Sequence, residues 1–172
     1  MRKESEMAMA VTRYLGGSKR TTREVRVSGC IFDVVAYDKE KRLFKLVECK
    51  LATSPTSIGR TFGQLASYHA AVMDQGYAFV TAVSRRLPLS FHRLMEATNN
   101  ATKIQVAFYV ALTQKACLNL RLLKSLKSLL PSVGIIRVKP DGHCRGYLLR
   151  DGKRDDSISS AKAITIKIRR YS

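Results

Sequence analysis

Asp33, the triplet Glu48-Cys49-Lys50, and the pair Gln64 and Tyr68 are the residues whose types and spacing could do chemistry. Asp33 interrupts an apolar run, Glu48 and Lys50 end the next one, and Gln64 and Tyr68 stand one helical turn apart. Hydrolysis of a phosphodiester needs a hard cation, oxygen ligands to hold it, and a positive group near the attacking water. Two acids and a lysine in this order supply all three. An aspartate inside a core strand is costly unless it is paired or bound to a cation. Two adjacent carboxylates repel, and a divalent ion is the simplest remedy. Lys50, two residues beyond Glu48, would then sit beside the metal and orient or help deprotonate a water.

Each residue also has an ordinary explanation. An acid two residues before a lysine is common in chains of this size. Asp33 could end a strand or pair with an arginine. Tyr68 could be a partly buried aromatic with its hydroxyl in water. The functional reading gains from order: acid within a strand, turn, acid-X-lysine at a strand end, then a helix.

The elements that must position these residues follow from the apolar patterning. Cys30 to Tyr37 is a β-branched and aromatic run, and Arg42 to Lys50 is a second one. The polar residues Asp38-Lys39-Glu40-Lys41 between them predict an antiparallel hairpin. Alternation puts Phe44, Leu46, Glu48 and Lys50 on one face, and Ile31, Asp33 and Val35 on one face of the preceding strand. Ser54-Pro55-Thr56-Ser57 is a helix start signal. The helix from about Thr56 to Gln75 carries a stripe of Ile58, Phe62, Leu65, Val72 and Met73, with Gln64 and Tyr68 on its flank.

The order of these motifs resembles the PD-(D/E)xK nuclease superfamily, the restriction-endonuclease-like fold. Asp33 matches its metal-binding aspartate, and Glu48 and Lys50 match its ExK. Gly63 to Tyr68 resembles the QxxxY motif of RecB-type domains, and the resemblance covers residues 1 to about 85. Phe32 stands where the superfamily often has proline. The resemblance implies an α/β fold with a mixed central sheet flanked by helices. It also implies Mg2+ (or Mn2+) as cofactor and DNA as substrate. Asp33 and Glu48 would hold the ion with the backbone carbonyl of Cys49, whose side chain points to the opposite face. Gln64 and Tyr68 would stand at the site's edge, holding phosphate or the attacking water. The superfamily usually adds a glutamate from its first helix. Met7, Val11, Tyr14 and Leu15 define one stripe of a helix from Arg2 to Leu15, and Glu4 falls on that stripe while Glu6 does not. Glu4 is therefore the expected catalytic acid. The alternative is that both are ordinary first-turn acids favoured by the helix dipole.

Composition points to the same partner class. The 172 residues hold 31 Lys and Arg against 13 Asp and Glu, a net charge of +18. Such a balance favours a polyanion, with nucleic acid ahead of an anionic membrane. The last third, from Cys117, carries about half of the excess. Lys153, Arg154, Lys167, Arg169 and Arg170 are the expected nucleic-acid contacts there. No run is long and apolar enough to span a bilayer, and no apolar segment follows the N-terminal charges as in a signal peptide. Cys30, Cys49, Cys117 and Cys144 form no CxxC pair, and His69, His92 and His143 are scattered. A reducing cytoplasmic compartment is expected, without structural zinc or disulfides.

The remaining chain reads as alternating elements: a short strand at Glu24 to Val27, a strand at Tyr77 to Val83, and a helix at Leu89 to Thr98. A strand at Ile104 to Leu112 and a basic helix from Gln114 to Leu130 follow. Last come a hairpin around Pro140-Asp141-Gly142, a polar loop from Asp151 to Ser160, and a strand from Ala163 to Arg169. A single domain is expected, with a core over about 1–112 and a basic C-terminal elaboration over about 113–172. Its size is compatible with a homodimer. The function expected is a Mg2+-dependent deoxyribonuclease acting in repair, recombination or restriction. The alternative is a non-catalytic nucleic-acid-binding protein on the same fold.

Overall fold

A computed structural model describes residues 3–38, 40–51, 54–87, 103–113, 130–139, 141, 143–145 and 161–167, with positions 115, 124 and 128. Its elements begin with α1 (Glu4–Tyr14), β1 (Thr21–Val27), β2 (Cys30–Asp38) and β3 (Leu43–Lys50). Next come α2 (Pro55–Asp74), α3 (Gly76–Ser84) and β4 (Lys103–Thr113), then β5 (Gly134–Val138), β6 (Cys144–Arg145) and β7 (Ile164–Lys167). The strands form one mixed sheet of order β1-β2-β3-β4-β5-β6, with β7 also paired to β4.

Local chemistry explains the joints. Ser28 and Gly29, at φ 49° and 77°, make a two-residue turn between β1 and β2, the backbone geometry that suits the strand twist. Asp38 Oδ1 accepts the Lys41 N–H at 3.2 Å in the turn before β3. Ser54 Oγ accepts the Ser57 N–H at 3.3 Å, and Pro55 occupies the first turn of α2, as the start signal predicts. β3 and β4 run parallel, so the chain must cross over between them; α2 and α3 lie in that crossover. β4 then shares one edge between two partners: residues 109–113 pair with β5 and residues 103–106 with β7.

The sheet is covered on both faces. On one, α1 packs Met7, Ala10 and Val11 against Val34, Val47 and Cys49. On the other, Leu65 and Val72 of α2 and Phe79 and Val83 of α3 cover Phe32, Phe44 and Leu46. β3 is buried along nearly its whole length, which explains its almost unbroken apolar run. No helix among the described residues is long and apolar enough to cross a membrane.

Several expectations change. Tyr77 to Val83 is helix α3, not a strand. Phe79, Val80 and Val83 are buried while Tyr77 is exposed, a helical period that the β-branched composition conceals. Met73 is 44% exposed; the buried stripe of α2 passes through Leu65, Tyr68, Ala71 and Val72 instead. β1 starts at Thr21, whose hydroxyl donates to the Gly17 carbonyl at 2.7 Å. The predicted helix at Leu89 to Thr98, nearly all of that at Gln114 to Leu130, and the loop at Asp151 to Ser160 lie outside the described residues.

Candidate active site

The site lies where β2 parts from β3. Their pairing ends at Val34 and Val47. One residue further along β2, Asp33 Oδ2 accepts the Cys49 N–H at 2.8 Å. A side chain thus continues a ladder that the backbone has left. The pleat also changes phase there: Phe32 and Val35 both face α2 and α3, while Val34 faces α1. Strict alternation, which would group Asp33 with Ile31 and Val35, fails for this reason.

Glu48 points to the α2 face, as alternation from Phe44 and Leu46 predicts, and is 1% exposed. Lys50 Nζ lies 2.7 Å from Glu48 Oε1 and 3.8 Å from Glu4 Oε1. Lys50 is thus reached from the first helix and from its own strand neighbour. Tyr68 Oη bonds both Glu48 Oε2 and the Ile31 carbonyl. The Asp33 carboxyl lies close enough to Glu48 to be affected by its charge. Asp33, Glu48, Lys50, Tyr68 and Glu4 therefore meet in one cluster at the ends of β2 and β3.

Its electrostatics follow from crowding. Burial first, then the Glu48 charge, push the Asp33 carboxyl up from 3.8 to about 7. The Cys49 N–H and Lys50 oppose this only in part. Burial works against the Lys50 ammonium, but the bond to Glu48 and the charges of Glu48, Glu4 and Asp33 outweigh it and raise its pKa. Lys50 is accordingly a charged donor in this arrangement. Burial and then the bond to Glu48 push the Tyr68 phenol up. A phenol has one proton and Tyr68 meets two acceptors.

A hard cation suits these donors, since its charge would reconcile two crowded carboxylates. Among the described residues no group of three or more His, Cys, Asp or Glu side chains is arranged to hold a metal. The protein would thus offer two carboxylates, and backbone carbonyl or water oxygens must supply the rest.

Above the cluster opens a cleft of about 990 Å³. The β1–β2 turn forms one wall through Gly29, Cys30 and Ile31, and α2 forms the other through Ser57, Arg60, Gln64 and Ser67. Gln64 is half-buried and lines the cleft as expected. Tyr68 is buried among aromatic rings, with its centroid 4.5 Å from that of Phe32. It also lines the cleft, and its hydroxyl is held by Glu48 and the Ile31 carbonyl and not by water. Arg60 and Ser57 escaped the sequence reading. Their signal was available: with Gln64 and Ser67 they recur at three- and four-residue steps, one polar face of α2.

The C-terminal contacts do not enter this geometry. Lys153, Arg154, Arg169 and Arg170 lie outside the described residues, as does the side chain of Lys167, whose backbone belongs to β7. Comparison of the chain with protein-family models, with curated proteins and with solved structures finds no match.

Proposed function

We propose that the protein is a Mg2+-dependent deoxyribonuclease of restriction-endonuclease-like type. The observation that carries this reading is the meeting of Asp33, Glu48 and Lys50 beneath an open cleft, in a chain of net charge +18. When bound, a Mg2+ ion supplies Lewis-acid polarisation of the phosphate and a more acidic water. Asp33 and Glu48 would hold it, with the Cys49 carbonyl as a further oxygen. Lys50 orients the water and offsets the negative charge that develops on phosphorus-bound oxygen. Tyr68 keeps Glu48 in place from below, and Glu4 does the same for Lys50 from α1. Arg60 and Gln64, on the cleft wall, meet the phosphate backbone.

A second reading, nucleic-acid binding without cleavage, draws on the lack of a three-residue metal group among the described residues. One experiment separates the two. Linear, circular and branched DNA are incubated with and without Mg2+ or Mn2+, using the parent protein, Asp33→Asn and Glu48→Gln. Cleavage is expected only with the parent and a divalent ion. Binding without cleavage by the parent in every arm would leave the second reading in its place.

A further inference from the structure

A second cavity, of about 610 Å³, lies at the other end of α1 and β1. Thr12 and Arg13 reach it from the last turns of α1, Ser18 from the following loop, and Thr22, Arg23 and Glu24 from β1. Successive strand residues normally face opposite ways. Four in a row, Thr21 to Glu24, line this cavity, and the φ of 53° at Glu24 breaks the strand's alternation. Arg86 Nη1 donates to the Arg23 and Glu24 carbonyls at 2.9 and 3.0 Å and holds that kink. Thr12 Oγ1 is buried with no hydrogen-bond partner among the described residues. Lys19 and Arg20, both exposed, extend the positive charge along the same loop. Glu24 is the acid that opposes it.

The geometry points to this cavity as an anchor for the phosphodiester backbone of the nucleic acid whose scissile bond lies in the cleft. The inference rests on the nucleic-acid reading above. Two guanidinium groups and several hydroxyls are the donors that phosphate oxygens take. Placement supports it as well. α1 runs from Glu4 at the cleft to Thr12 here, and β1 runs back from Thr22 to the Gly29 turn at the cleft. The two sites are therefore about 12 Å apart measured along the helix and at most about 23 Å along the strand. At 3.4 Å per nucleotide of one duplex strand this is roughly four to seven nucleotides. One continuous backbone can occupy both.

The test reads binding and not cleavage. Fluorescence anisotropy of a labelled duplex is followed against salt in a chelator, with the full chain, for the parent, Arg13→Ala/Arg23→Ala and Glu24→Gln. All three substituted side chains are exposed, and equal melting temperatures confirm that the fold is kept. Loss of two phosphate contacts lowers the slope of log affinity against log salt by roughly 1.8 and the affinity at moderate salt by about tenfold. Glu24→Gln, which removes the opposing charge, is expected to strengthen binding. If the parent binds duplex and the double variant matches it in affinity and slope, the anchor is overturned while the proposed function stands. If the parent binds no DNA, both fall.

Discussion

Burial of Asp33 makes stability depend on pH. Its carboxyl keeps a proton in the folded chain up to about 7, against 3.8 for an ordinary aspartate. The folded state therefore has its full advantage from this group below about pH 4 and loses it as pH rises through 7. Asp33→Asn is expected to abolish cleavage yet stabilise the protein at pH 8. After discounting for partial exposure the gain is on the order of 2 kcal/mol, or roughly 4–8 °C in Tm for a domain of this size. A thermal melt at pH 5 and pH 8 checks it: the difference between parent and variant should grow with pH. Mg2+ should raise the parent's Tm at pH 8 and leave that of Asp33→Asn nearly unchanged, because a ligand stabilises only the state that binds it. Tyr68→Phe strips one hydroxyl from under Glu48 and leaves the Ile31 carbonyl without that donor. A stability loss of about 1–3 kcal/mol is expected, together with a lower kcat at unchanged DNA affinity. A loss of affinity with kcat intact would show that Tyr68 meets substrate after all.

At the level of elements, α1 delivers Glu4 to Lys50, 3.8 Å away. Glu4→Ala should reduce Mg2+-dependent activity severalfold, and Glu6→Ala should not; kcat for the two variants decides. Met7 and Val11 of the expected stripe are fully buried, as this rotation requires, whereas Tyr14, also placed on the stripe, is 49% exposed. The β2–β3 hairpin was legible as two apolar runs around a polar turn. What could not be seen was the change of pleat at Asp33. It arises where two strands diverge, a tertiary event that no local pattern encodes. Helix α3 was missed because its nine residues are mostly β-branched or aromatic, and short apolar segments carry little periodicity to separate helix from strand. That Tyr68 is buried against Phe32 as well as lining the cleft could not be read from the sequence, because only packing shows it. Gly134 gave no signal at all. A Cβ there would lie 2.6 Å from the Tyr109 ring and 3.0 Å from Ala161 Cβ. Gly134→Ala should cost about 1–3 kcal/mol through overpacking, visible as a lower urea midpoint with an unchanged slope.

For the whole molecule the charge of +18 is the dominant property. DNA affinity should fall steeply with salt and depend little on sequence, since no base-reading motif stands out. Each phosphate neutralised adds about 0.9 to the slope. Neutralising Lys153, Arg154, Lys167, Arg169 and Arg170 together should weaken binding to all sequences alike and flatten that slope. An effect confined to one sequence, or an unchanged slope, would assign the basic C-terminal segment to folding or to another partner. The sharing of β4's edge between β5 and β7 bears on how such a chain is made. Ile166, wholly buried, sits on residues 103–106 through a strand near the far end of the sequence. During synthesis the middle strand of the sheet must wait with half of one border open until residues 164–167 leave the ribosome. Contacts so distant along the chain slow folding, and an open strand border invites pairing with a neighbouring nascent chain. The interval before residues 164–167 emerge is then the stage at which the border of β4 is exposed to mispairing.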